Sequence, residues 1–548
     1  MKKILVLLSG FALLSSCENL KKEHVDLLIH NATIYTVDED FSTAEAIAIR
    51  GDSILEIGAE HQLLNKYQSK QTIDARQQFV YPGFIDGHTH FFGYAKGLKS
   101  VNLVGTKSWV ECLERTKAFA ETSSQKWIVG RGWDQNDWEN KTFPTNAQLN
   151  ALFPDTPVML TRIDGHAAIA NDAALSLAGV TPETMIAGGE IVLEAGSLTG
   201  VLIDNAVDLL SSKVPRLTNE QWEKALLSAQ ENCFEKGITS VVDAGLQNHQ
   251  VELLEKLYAD SILKMRVYAM LSDNEKNRSV WLERGPYQDD YLSVTSFKYY
   301  CDGALGSRGA LLLEPYSDDQ KNIGLLLSTE EHFKTQAAIM NEYGFQMNTH
   351  CIGDSANRLI LNVYANELGS VNDKRWRIEH AQIVHPDDIS MFGDYSVIPS
   401  VQPTHATSDM YWAEERLGTK RLNYAYSFNT LKKELGLIAL GTDFPVEGID
   451  PIRTFYASVF RVDQEGLPAG GFRPAEILDR KDALKGMTIW NAIANFEDDR
   501  KGSLIPGKLA DLVILNYDLM KASPEDMLQT EVSYTISGGE IVYSRNNE

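Results

Sequence analysis

Hydrophobic and polar positions change texture three times along the chain. From Val25 to Val80, short alternating runs (DLLIHNATIYTV, EAIAIRGDSILEIG, QTIDARQQFVYPG) are separated by turns carrying Gly and Asp, and no helix of any length fits between them. The last segment returns to that texture in ADLVILNYD and YTISGGEIVYS. Alternation with period two marks half-buried strands, so the two chain ends read as one β-sandwich. Between them, apolar runs alternate with helical patterns. The runs are VYPGFIDGHTH, GITSVVDAG, MRVYAML, SVTSFKYYCDG, GFQMNTHCIG, RWRIEHAQIV, YSVIPSVQP and LIALGTDFPV. Helical stretches such as NEQWEKALLSAQENCFEKG and STEEHFKTQAAIMNEYG lead directly into strands, as in a parallel sheet.

Eight such units predict an α/β chain built on a (β/α)8 TIM barrel with insertions, plus a small β-sandwich domain formed from both termini. The stretch from Pro82 to about Gly502 exceeds the roughly 250 residues typical of that barrel. Most of the excess lies between His90 and Asn219, where WIVGRGWDQNDW and VMLTRIDGHAAIAN predict strand-and-loop structure over the barrel mouth. The expected division is a signal segment at 1–17, a composite sandwich of 23–82 with 503–548, and a barrel at 83–502 with an insertion around 100–218.

The N-terminus explains the first of these. Lys2 and Lys3 precede an apolar run from Ile4 to Leu14, too short for the about 20 residues that cross a bilayer, and small residues precede Cys17. The ending Leu14-Ser15-Ser16-Cys17 resembles the bacterial lipobox, whose cysteine is lipidated. The expectation is an exported protein of the bacterial envelope, tethered to a membrane only through Cys17 and facing the periplasm. The other cysteines, Cys112, Cys233, Cys301 and Cys351, lack CxxC spacing and read as buried small hydrophobes. A formal net charge of −24 without a basic cluster disfavours nucleic acid. Homo-oligomerisation is compatible with the sequence, and no pattern specifies it.

Polar groups inside apolar strands are costly to bury, so those that interrupt the runs near their C-terminal ends are the informative ones. They are His88, His90, Lys298, His350, His380 and Asp443. All strand C-termini of a TIM barrel meet at one face, where residues hundreds of positions apart converge. Four imidazoles and a carboxylate suit zinc or a similar divalent ion. A lysine buried among them has a lowered pKa, becomes nucleophilic, and can take up carbon dioxide as an anionic carbamate able to bridge two metals.

FIDGHTH, the lysine of SFKYYCDGALGSRGA, NTHCIGD, RIEHAQ and GTDFPV together resemble the amidohydrolase superfamily, specifically its branch containing N-substituted formamide deformylases. The resemblance runs from DLLIHNATIYTVD to GSLIPGKLADLVILN. It implies that His88, His90 and Asp443 bind one divalent metal and His350 and His380 a second, with N6-carboxylated Lys298 bridging them; the donor types suit zinc, though manganese, iron or cobalt fit the same set. It also implies a metal-held hydroxide as nucleophile, Asp443 as proton shuttle, and a small-molecule amide or formamide as substrate. His166 in RIDGHAAIAND is expected near the substrate as an oxyanion donor. Trp133, Asp134 and Trp138 in GWDQNDW are expected to line a substrate pocket, Asp302 and Arg308 to stand beside the metals, and His405 in QPTHAT to enter the pocket. Three alternatives stay open on the same scaffold: a mononuclear deaminase, which does not need Lys298, a cyclic amide hydrolase, and an envelope binding protein without catalysis, which does not need Asp443.

Overall fold

A computed structural model of the chain describes residues 22–122, 126–215 and 217–545. The signal segment expected at 1–17, with Cys17, lies outside the described residues. Each of the eight apolar runs supplies one strand of a parallel sheet: β1 (Phe84–Thr89), β2 (Ile238–Leu246), β3 (Arg266–Ser272), β4 (Leu292–Tyr300), β5 (Gln346–Cys351), β6 (Arg377–His380), β7 (Ile398–Val401) and β8 (Ala439–Leu440). Neighbours in the sheet follow chain order and pair in parallel from β1 to β8. Beyond β8, the Asp443 N–H donates to the His88 carbonyl at 2.8 Å and the His90 N–H to the Phe444 carbonyl at 2.9 Å, which brings the sheet round into a nearly closed TIM barrel.

Helices cover the barrel where their sequences supply both a buried stripe and end signals. Asn219–Glu235 starts at a capping box between Thr218 and Gln221, and its buried residues Ala225, Leu226, Ala229, Cys233 and Phe234 recur every three or four positions. Glu330–Tyr343 is capped by the Thr329 side chain and stops at Gly344, whose φ of 74° a glycine adopts without a steric cost.

The two chain ends meet in a pair of sheets. One runs Ser53–Gly58, Ala46–Arg50, Glu23–His30, Tyr67–Asp74, and the other includes Thr33–Tyr35, Phe79–Pro82, Leu512–Leu515 and Val532–Ser537. Period two decides the faces. Leu27 and Ile29 enter the core between the sheets with Ile47, Val80, Leu512 and Ile514, while Leu28 turns outward beneath the short helix Glu60–Lys66, which the sequence pattern did not suggest. A third sheet, within the insertion, contains Val101–Asn102, Ile128–Trp133, Val158–Arg162, Ala167–Ala170, Ser197–Asp204 and Gly189–Glu194, with its own apolar core. It stands over the C-terminal ends of the barrel strands. Cys112, Cys233, Cys301 and Cys351 are buried and free.

The sandwich is fastened to the barrel by a buried ion pair. Arg266 at the start of β3 meets Asp511 with Nε to Oδ2 at 2.7 Å and Nη2 to Oδ1 at 3.0 Å. Burial pushes the Asp511 carboxyl up, and the Arg266 charge outweighs it and holds the group below its ordinary value. A carboxylate depressed in the folded state stabilises above its unfolded pKa, about 3.9, and loses that contribution as pH falls through the folded value. Asp511→Asn strands a buried guanidinium, so urea unfolding at pH 7 should show a loss of about 3–5 kcal/mol. The gap to the wild type should shrink below about pH 4.

Candidate metal centre

The centre begins where β1 and β8 approach each other. A Cβ on Gly87 would lie 2.8 Å from the Leu440 carbonyl oxygen, and one on Gly441 would lie 2.5 Å from the His88 nitrogen. Only glycine at both positions lets the two strand ends come this close. The approach carries His90 Nε2 to 3.3 Å and His88 Nε2 to 3.8 Å from Asp443 Oδ1. Asp443 (φ 62°) and His380 (φ 73°) both occupy the left-handed region, which costs a non-glycine residue on the order of 1–3 kcal/mol and clusters at functional sites.

Imidazoles from other strands join this pair. The His380 ring lies 4.8 Å from that of His88, 4.5 Å from that of His350 and 6.0 Å from that of His405, centroid to centroid. Among the described residues, two donor groups have ligand atoms mutually within 4.8 Å: His88, His90 and Asp443, and His380, His405 and Asp443. His350, expected as a ligand beside His380, packs against it, but its Nε2 faces the Gly303 carbonyl at 3.5 Å. His405 stands in the second group instead, on the first turn of the helix Pro403–Asp409 that follows β7.

Three observations show that these donors suit a divalent metal. His88 Nδ1 donates to Glu379 Oε2 at 2.5 Å, and His380 Nδ1 donates to Gln402 Oε1 at 2.7 Å, so each ring keeps an Nε2 lone pair for a cation. Asp443 Oδ1 and His405 Nε2 are buried and find no hydrogen-bond partner among the described residues. Burial first, and the Lys298 charge second, hold His88 and His350 below the ordinary histidine value, in the neutral form a metal requires.

Lys298, on the last turn of the pleat of β4, is fully buried with Nζ 3.3 Å from His88 Nε2. Burial lowers its pKa to about 8 against the opposing pull of Glu379 and Asp443. Glu379 is the matching anion. Burial pushes its carboxyl up, but His88, Arg377 and Lys298 together hold it at about 2. Asp443 is likewise raised by burial and pulled well below its ordinary value by His90 and His88, so it is ionised.

The centre opens into a cavity of about 1060 Å³, lined by His90, Lys298, His350, His380, His405 and Asp443 from the barrel and by Arg131, Asp134, Arg162 and His166 from the insertion. His166 Nδ1 bonds Asp204 Oδ1 at 2.9 Å, leaving Nε2 on the cavity side, with the ring 6.4 Å from that of His350. Asp134 lines the cavity paired to Arg162.

Four expected pocket residues lie elsewhere. Trp133 is buried in the insertion core, donating to the Leu160 carbonyl, and Trp138 packs beside it. The cause is a register shift between Arg131 and Trp133 at Gly132 (φ 115°), which puts Trp133 on the opposite face from the one strict alternation gives it. Asp302 is spent on the N–H groups of Leu311, Ile352 and Gly353 at 2.8–3.0 Å, behind His350, so it organises a loop. Arg308 pairs with Asp318 at 2.8 Å, away from the cavity. Glu379 and Gln402, which hold the His88 and His380 rings, and Arg131 on the cavity wall are positions that the sequence pattern did not single out. Glu379 was legible in principle, as an acid inside the apolar run RIEH.

The amidohydrolase family profile matches residues 71–543. The protein LONG AFTER FAR-RED 3 of Arabidopsis thaliana is 32% identical over 94% of this chain and 91% of its own. An N-substituted formamide deformylase of Arthrobacter pascens is 25% identical over 95% of this chain and 98% of its own. The crystal structure of an uncharacterized metal-dependent hydrolase from Pyrococcus horikoshii OT3 superposes with a TM-score of 0.75 at 28% identity, covering 91% of this chain and 99% of that one.

Replacing Glu379 by Gln keeps the shape of the side chain and removes the charge that fixes His88. Metal affinity, read by competition with a chelator, should fall about 10–100-fold. Unchanged affinity would show that the carboxylate does not orient the ligand.

Proposed function

This chain belongs to the amidohydrolase family, and on that premise we propose that it is a metal-dependent hydrolase of non-peptide C–N bonds, acting on N-substituted amides or formamides. The observation that carries the reading is Lys298, a buried amine with a lowered pKa set within a ring of imidazoles beside an ionised Asp443. The deformylase similarity supports the choice of substrate.

His88, His90 and Asp443 would hold one divalent metal, zinc by donor type, and His380 with His350 or His405 a second. Lys298 would lie between them as its carbamate: the neutral amine adds to carbon dioxide, forms an N–C bond and loses a proton. A pKa near 8 makes that neutral form accessible at physiological pH. When bound, such metals polarise a carbonyl and lower the pKa of water to about 7.

The chain's own groups do the rest. Asp443 starts ionised, takes the proton of the attacking water and returns it to the leaving nitrogen, base first and acid second. His166, oriented by Asp204, offers Nε2 to the oxyanion that develops on the carbonyl. Arg131, Asp134, Arg162 and His166 of the insertion form one wall of the cavity. Products are a carboxylic acid, formate for a formamide, and an amine. The N-terminal segment supports export and lipid anchoring through Cys17 at the bacterial envelope.

Enzyme purified without chelator in bicarbonate buffer should carry two metals per chain. Lys298→Ala should lose at least one of them together with about 10²–10⁴-fold of the formamide hydrolysis rate, and added short carboxylic acids should restore part of it. A Lys298→Ala enzyme that keeps its metal and its rate would overturn the bridged site and favour a mononuclear deaminase.

A further inference from the structure

The insertion presents two arginines to the cavity from neighbouring strands, and they are treated differently. Arg162 is neutralised twice, by Asp134 through Nη2 and by Asp164 through Nη1. Arg131 has no such partner. Its Nη2 donates to the Ile163 carbonyl at 2.9 Å, its Nε is buried without a hydrogen bond, and among the described residues no carboxylate pairs with its guanidinium.

The backbone is shaped around this group. The register shift at Gly132 separates Arg131 from Trp133, sending the indole into the core and leaving the guanidinium on the cavity wall. Gly165 (φ 81°) lies against it, where a Cβ would stand 3.3 Å from Nη2. The next residue is His166, so the guanidinium flanks the position from which His166 faces the centre. Burial lowers the Arg131 pKa, with the charges of Asp164 and Asp443 acting in opposition.

An uncompensated charge kept in a cavity wall is a standing cost unless a ligand relieves it. We propose that Arg131 is the specificity residue of this site and binds a carboxylate carried by the substrate, so that the preferred amide has an anionic substituent on the side facing the insertion. This rests on the amide-hydrolase reading and narrows its substrate class. A guanidinium matches a planar carboxylate with directed N–H donors. Lys96 also lines the cavity without an ion pair among the described residues, but Arg131 is the one beside His166, and with Asp137 and Asp443 on the same walls a single carboxylate held at Arg131 is the anion that fits.

The test compares two formamides of equal length on the metal-loaded enzyme, one ending in a carboxylate (N-formyl-β-alanine) and one in a methyl group (N-propylformamide). The wild type should prefer the carboxylate by at least tenfold in kcat/KM. Arg131→Gln should cut that ratio at least tenfold through KM of the carboxylate substrate, and Arg131→Lys should restore part of it. A defect in folding or metal loading slows both substrates and leaves the ratio alone. An unchanged ratio in Arg131→Gln, or a wild type that favours the neutral formamide, overturns the proposal. If neither formamide is hydrolysed, the hydrolase reading fails separately, and calorimetry with β-alanine's N-acetyl derivative decides the subsite: tenfold weaker binding by Arg131→Gln supports it and equal binding overturns it.

Discussion

The close approach of β1 and β8, permitted by Gly87 and Gly441, is the constraint from which the rest of the site follows. These strands are separated by most of the barrel sequence, yet the Asp443 N–H donates to the His88 carbonyl at 2.8 Å. That bond brings the barrel nearly to closure and in the same act places a carboxylate beside the two histidines of GHTH. A side chain at either glycine would push the strand ends apart and separate the donors. Asp443 and His380 hold their left-handed backbone in buried positions, where surrounding structure can sustain such a cost.

The electrostatic order of the centre follows from burial within this nearly closed barrel. Lys298 and Glu379 are both fully buried, and each opposes the cost of the other through His88, which touches both. The positive member sits on the side of the ring facing the cavity and the negative member behind it. A histidine with its Nδ1 proton fixed by a carboxylate is a ligand held in one tautomer and one orientation, so the barrel interior sets the geometry before any ion arrives.

Most of the architecture was legible because each strand is a mainly apolar run, and five of the eight carry or lead into a polar residue near the C-terminal end. His88, His90, Lys298, His350, His380 and Asp443 were found this way, and the structure brings them to one mouth, although His350 Nε2 turns toward Gly303 and His405 takes a place beside His380 and Asp443. His405 was undervalued because it lies on a helix after its strand, outside the run. Trp133 was misplaced because alternation cannot foresee the register shift at Gly132. Arg308 and Asp302 show that a glycine-rich loop near a lysine says nothing of where its charges end up; one meets Asp318 and the other backbone amides. Arg131 left no mark in the sequence, since its distinction is that no carboxylate among the described residues pairs with it, which is a property of the folded wall.

The most direct test is anomalous X-ray scattering at the zinc edge from crystals of protein purified in bicarbonate and loaded with zinc. The account predicts two peaks. One should lie about 2.1 Å from donor atoms of His88, His90 and Asp443 and the other at His380, with continuous density joining Lys298 Nζ to both. A single peak remote from Lys298, or none at the mouth of the barrel, would contradict it.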